Sequence, residues 1–294
     1  MRCQLLFVLA ALLGLALASD FPLDSLKYGN KRPEEQTTCD SPRLTMCTNS
    51  FLDFIGYNTG TTSLWKQDPS LLLSFLNQKM TKNIGSPDEL VNICNGLEQF
   101  LGCMGEKNYQ LCLRPPNMAA TQGTTDEFNF RMIGVLDMYS FQCGAGFFTA
   151  VSEDYSCIQR TILHYNKSLD ACRQTYFTAI EHFPENACPR IQQLAFCTMN
   201  VFANSECHAK QRGDRWWACE GQVAYASSQF PSCKFDCSDF FDHNGSGDFG
   251  AFMRTHYKKV DNGHMFKMHD NYVRQENGEL KPVEGEWIFE RKMF

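Results

Sequence analysis

Apolar residues recur at three- and four-residue steps through much of the stretch 68–226, which is the period of an amphipathic helix. Ser86-Pro87-Asp88-Glu89 reads as a capping box with proline at the first helical position. Behind it Leu90, Ile93, Cys94, Leu97, Phe100 and Leu101 form one apolar stripe. Asp68-Pro69 opens another, through Leu71, Leu72, Phe75 and Leu76. The same spacing predicts helices near 126–139, 154–165, 168–183, 189–202 and 214–226. Strand-like alternation is scarce. Pro115-Pro116 and Gln122-Gly123-Thr124-Thr125 mark a loop in the middle of the chain.

The first eighteen residues break this pattern. Arg2 precedes an apolar run over 5–17, and Ala16-Leu17-Ala18 has the small-x-small form of a signal-peptidase site. Cleavage is expected after Ala18, with the bond after Ser19 as the alternative. The run is shorter than the ~20 residues of a spanning helix, which argues against a membrane anchor. Residues 19–38 are polar and free of cysteine, and read as a flexible leader. Its Lys31-Arg32 is followed by Pro33, which disfavours processing there. No later stretch suits a bilayer, because 133–151 carries Asp137, Gln142 and several glycines. The charged end Glu290-Arg291-Lys292-Met293-Phe294 excludes a GPI tail.

Cysteine then decides the class. The chain has 294 residues and 15 cysteines. Cys3 leaves with the signal peptide, so 14 remain, an even number that suits seven disulfides in an oxidising compartment. They are Cys39, Cys47, Cys94, Cys103, Cys112, Cys143, Cys157, Cys172, Cys188, Cys197, Cys207, Cys219, Cys233 and Cys237. Cys94 and Cys103 are nine residues apart, about 13.5 Å of rise and half a turn out of phase on one helix. Bridged Cα atoms lie within about 7 Å, so on a continuous helix each must reach a different neighbour. Cys188 and Cys197 obey the same argument. Zinc is the weaker use of these thiols: Cys233 and Cys237 are spaced one residue wider than CxxC, and Cys207-His208 stands alone. A weak internal echo relates 94–104 to 188–199, and pairs Cys112 with Cys207 and Cys143 with Cys237. It fits an old duplication, or simply the likeness of helices with a cysteine at each end. The predicted fold is mainly α: a disulfide-stapled multi-helix domain over 39–237, followed by a cysteine-free polar segment over 238–294.

Net charge is −6, becoming −7 once Arg2 is removed, and gives no basic excess for nucleic acid. The chemistry concentrates in Phe241-Asp242-His243-Asn244-Gly245-Ser246-Gly247-Asp248-Phe249. Counted from Asp242, oxygen side chains fall at positions one, three, five and seven (Asp242, Asn244, Ser246, Asp248), with glycine at six, as in an EF-hand calcium loop. Position twelve, where a bidentate glutamate belongs, is Met253. Asn244-Gly245-Ser246 is also a glycosylation sequon, as is Asn166-Lys167-Ser168. Ser246-Gly247 among acids suits glycosaminoglycan attachment. A glycine-rich turn closing a helix needs none of these. His264-Met265-Phe266-Lys267-Met268-His269 reads as a solvated loop or edge strand before a soft-metal site. Nothing calls for a cofactor, calcium being the one candidate.

No nucleophile elbow, HExxH, P-loop or GxGxxG occurs. His182 follows Glu181 but lacks the cysteine frame of a secreted phospholipase. Trp216 and Trp217 read as core or contact residues before sugar binders. Leu44-Thr45-Met46-Cys47, the run from Cys94 to Cys112, and Arg215-Trp216-Trp217-Ala218-Cys219 resemble the secreted cysteine-rich helical domains of invertebrates, the chondroitin-proteoglycan-type family and its nematode relatives. That resemblance spans 39–237 and implies a secreted binding or matrix protein without catalysis, with an extracellular protein or glycan as partner. The 241–249 stretch resembles the EF-hand family without its last acid. The alternatives are a calcium-binding extracellular module and a hydrolase of unrecognised type.

Overall fold

In the computed structural model the described residues are 38–60, 62–152, 155–205, 213–233, 235, 237, and strands at 257–260, 263–267, 271–274, 280–283 and 287–291. All belong to the unit Thr38–Phe294. Residues 1–37, on which the expected signal peptide and most of the expected leader fall, and Cys207 lie outside them. Eleven helices account for most of the described chain: α1 Ser41–Ile55, α2 Pro69–Met80, α3 Asp88–Met104, α4 Glu106–Cys112, α5 Pro115–Gln122, α6 Asp126–Cys143, α7 Ala145–Ser152, α8 Tyr155–His164, α9 Asn166–His182, α10 Ala187–Ala203 and α11 Gly213–Ser227. The mainly α, disulfide-stapled fold expected from the periodicity is the fold observed.

Two local expectations fail, each for a physical reason. Pro115 and Pro116 start α5 instead of breaking the chain, because the first-turn N–H groups of a helix have no partner to lose. The capping box does not close. Ser86 Oγ accepts from Asp88 N–H at 3.2 Å, while Glu89 turns away to Lys79 at 2.8 Å and Lys82 at 3.7 Å. Those hydrogen-bonded cations hold the Glu89 carboxyl below its ordinary range.

Six bridges join described residues: Cys39–Cys112, Cys47–Cys103, Cys94–Cys143, Cys172–Cys197, Cys188–Cys233 and Cys219–Cys237. Cys157 is disulfide-bonded as well. Cys94 and Cys103 share α3 and go to different helices, as their phase on the helix demands; Cys197 and Cys188 on α10 diverge likewise, to α9 and to Cys233 after α11. Cys233 and Cys237 are thereby removed as zinc ligands.

The bridges also repeat. Cys47, the seventh residue of α1, joins Cys103 on α3, and Cys94 on α3 joins Cys143 at the end of α6. Cys172, the seventh residue of α9, joins Cys197 on α10, and Cys188 on α10 joins Cys233 just beyond α11. The helix triplets α1/α3/α6 and α9/α10/α11 therefore carry the same interleaved links, which favours the duplication reading of the echo. The counterpart of Cys143 is Cys233, however, and not Cys237, whose partner Cys219 has no equivalent cysteine in the first half.

The halves meet where α6 lies along α11. Gly134 on α6 makes this contact close: a Cβ there would stand 2.5 Å from the backbone carbonyl oxygen of Tyr225 on α11. Backbone cannot swing aside as a side-chain tip does. Gly134→Ala is expected to cost about 3 kcal/mol through overpacking, read as a lower denaturant midpoint at unchanged slope. Trp216 (0 % exposed) and Trp217 (4 %) fill the core on the same helix, and Trp216 packs edge-on against Phe141 and Tyr257. The core reading of this pair holds.

Beyond Cys237 the cysteine-free polar segment contains short strands: β1 Tyr257–Val260, β2 Gly263–Lys267, β3 Asn271–Arg274, β4 Leu280–Val283 and β5 Trp287–Arg291. One antiparallel sheet has the order β1-β2-β5, and β3 pairs with β4. His264 therefore lies on a central strand, in register with Lys259 on one side and Glu290 on the other. This corrects the loop or edge-strand expectation. His269 lies outside the described residues.

Candidate functional site

The largest departure from the repeat is the segment 56–87. In the second half α9 passes into α10 through Phe183 and a single 3-10 turn, Pro184–Asn186. In the first half the same connection contains a loop, the 3-10 turn Leu64–Lys66 and all of α2.

The inner side of this segment is firmly seated. Leu64, Trp65, Leu72, Leu76 and Met80 are buried at 2 % exposure or less. The Trp65 indole N–H donates to Thr48 Oγ1 at 3.0 Å, and that hydroxyl donates to the Leu44 carbonyl at 2.7 Å. Tyr139 of α6 donates its hydroxyl to Asn77 Oδ1 at 3.0 Å. At the far end Gln159 of α8, fully buried, donates to the carbonyls of Met80 (2.7 Å), Asn83 (2.9 Å) and Ser86 (3.3 Å), and accepts from Gly85 N–H at 2.6 Å.

The outer side carries a groove of about 460 Å³ between the loop after α1 and the exposed face of α2. Tyr57 and Phe75 form its aromatic wall, with ring centroids 4.7 Å apart and planes tilted by 52°. Partial burial pushes the Tyr57 phenol above its ordinary pKa, so it stays neutral and donates to Gln67 Oε1 at 3.0 Å. Gln67 in turn donates to the Thr59 carbonyl at 2.9 Å. Asn58 Oδ1 accepts from Gly60 N–H at 2.7 Å, and Gln78 Nε2 donates to Ser74 Oγ at 3.4 Å. Leu71, 54 % exposed, lines the same space. Apart from the neutral phenol, no ionisable side chain among the described residues lines it.

Of the residues singled out by sequence, Asn166 is exposed and opens α9, where its sequon is accessible. Asp242, Asn244, Ser246, Asp248 and Met253 lie outside the described residues. Among the described residues no group of three or more His, Cys, Asp or Glu is placed to hold a metal, and no helix is long and apolar enough to cross a membrane. His182 is exposed in the last turn of α9. The groove itself was missed, because Leu71, Leu72, Phe75 and Leu76 read as one apolar stripe. Leu72 and Leu76 are fully buried, Phe75 is only partly so, and Leu71 is exposed. The run is wider than a single buried face needs, and that excess was the available signal.

Comparison of the chain with family models, with curated proteins and with solved structures finds no match. The multiple bridges between helices place the folded chain in an oxidising, extracellular-type environment.

Proposed function

We propose that this chain is a secreted, non-enzymatic binding or matrix protein whose contact surface is the groove on segment 56–87. One observation carries the reading: a scaffold of two like, bridge-locked halves is elaborated in one half by a segment anchored on its inner side and grooved on its outer side. Binding residues characteristically sit on such segments, positioned by a rigid frame. The resemblance to invertebrate secreted cysteine-rich domains supports the same role, and the exposure of the Asn166 sequon accords with export. The test is expression of the full chain in secretory cells that deposit matrix. The protein should leave the cells, resist thiol alkylation until reduced, and stay on the deposited matrix. Leu71→Asp/Phe75→Ala, folded by circular dichroism, should wash into the medium. Equal partition of the two proteins between matrix and medium would overturn the proposal.

A further inference from the structure

Resting on that reading, the geometry points to a neutral oligosaccharide as the ligand of the Tyr57–Phe75 groove. Three features of the lining select it. First, the lining offers neither cation nor anion to a phosphate, a sulfated chain or a basic peptide. Second, Asn58, Gln67 and Gln78 each present an acceptor beside a donor, the arrangement that meets two neighbouring sugar hydroxyls with two hydrogen bonds. Gln67 is already oriented: Tyr57 fixes its oxygen and the Thr59 carbonyl fixes its nitrogen. One lone pair and one N–H remain for a ligand at little ordering cost. Third, Phe75 and the exposed Leu71 both line the groove, giving an apolar surface on which the C–H face of a sugar ring can rest.

An apolar side chain from a protein partner fits less well. It would cover the remaining donors and acceptors of these amides without adding a hydrogen bond to them, and such anchors need an enclosed pocket, whereas this groove is open.

Titration calorimetry on the full secreted protein tests the assignment, with cellotetraose, mannotetraose and lacto-N-tetraose as neutral probes and chondroitin sulfate as the anionic one. At least one neutral probe should bind with an affinity insensitive to salt. Phe75→Ala and Gln67→Leu should each weaken it about tenfold or more, the loss of roughly one buried contact. Gln78→Leu, a change on the exposed face of α2, should weaken it too without disturbing the fold. Failure of all neutral probes to bind at millimolar concentration overturns the assignment. So does preference for chondroitin sulfate with a steep salt dependence. If neutral probes fail while matrix retention still depends on Leu71 and Phe75, the ligand is a protein surface: the binding role stands and the saccharide assignment falls.

Discussion

Alkaline pH is expected to unfold this protein cooperatively. Tyr109, Tyr139, Tyr155, Tyr176 and Tyr225 are each at most 5 % exposed, and burial raises the pKa of all five above the ordinary value of 10.0. Arg173, itself buried, opposes that rise at Tyr139 and Tyr225 without cancelling it. In the unfolded chain these phenols ionise near pH 10, while in the fold they stay protonated. Above pH 10 the unfolded state therefore binds fewer protons, and stability that is complete below pH 10 is lost as pH rises. Each tyrosine contributes about 1.4 kcal/mol per pH unit, so five remove about 7 kcal/mol by pH 11. That is comparable with the whole stability of a typical domain. Phenolate absorbance and helical circular dichroism should change together in one steep step. Independent tyrosine titration near pH 10 with the helical signal intact would refute the account. Tyr155 offers a control, since its buried hydroxyl has no hydrogen-bond partner among the described residues. Tyr155→Phe should be tolerated at neutral pH and should move the alkaline midpoint upward.

Gln159→Leu is the most damaging single substitution expected. The amide is fully buried and satisfies three carbonyls and one N–H of the turn 80–86. Leucine nearly conserves the volume but leaves those groups without their partner, at about 1–3 kcal/mol each where water cannot reach them. Partial relaxation of the turn brings the expected loss to about 5 kcal/mol. Within the turn Gly85 takes φ +90°, a conformation that side-chain-bearing residues rarely adopt. Urea unfolding measures the loss directly. A decrease of less than about 1 kcal/mol would show that the turn finds its hydrogen bonds elsewhere. Because the turn closes the segment that bears the groove, Gln159→Leu should also weaken ligand retention although it lies outside the groove.

Most of this architecture is legible in the sequence, for reasons that particular residues make plain. Asp68 caps α2 through its contact with Ser70 N–H, and Pro69 follows it, as the start signal reads. The nine-residue spacing on α3 and α10 dictates bridges between helices, but it cannot say which helix answers, since that depends on tertiary packing. Ser86 and Glu89 look like a closed capping box until Lys79, supplied by another helix, takes the carboxylate. The strands after residue 256 are four or five residues long, too short for alternation to rise above chance. β4 even contains Pro282, opposite Tyr272. The groove needs knowledge of which half of a continuous apolar stripe faces inward, and that follows only once the neighbours of α2 are placed.

The bridges among described residues all stay within one half or the other. The α6–α11 seam that unites the halves is therefore held by side-chain packing and by the connecting backbone near α7. A protease that severed that connection would leave two internally cross-linked fragments clinging together with none of the described bridges tying one to the other, still co-migrating in native buffer.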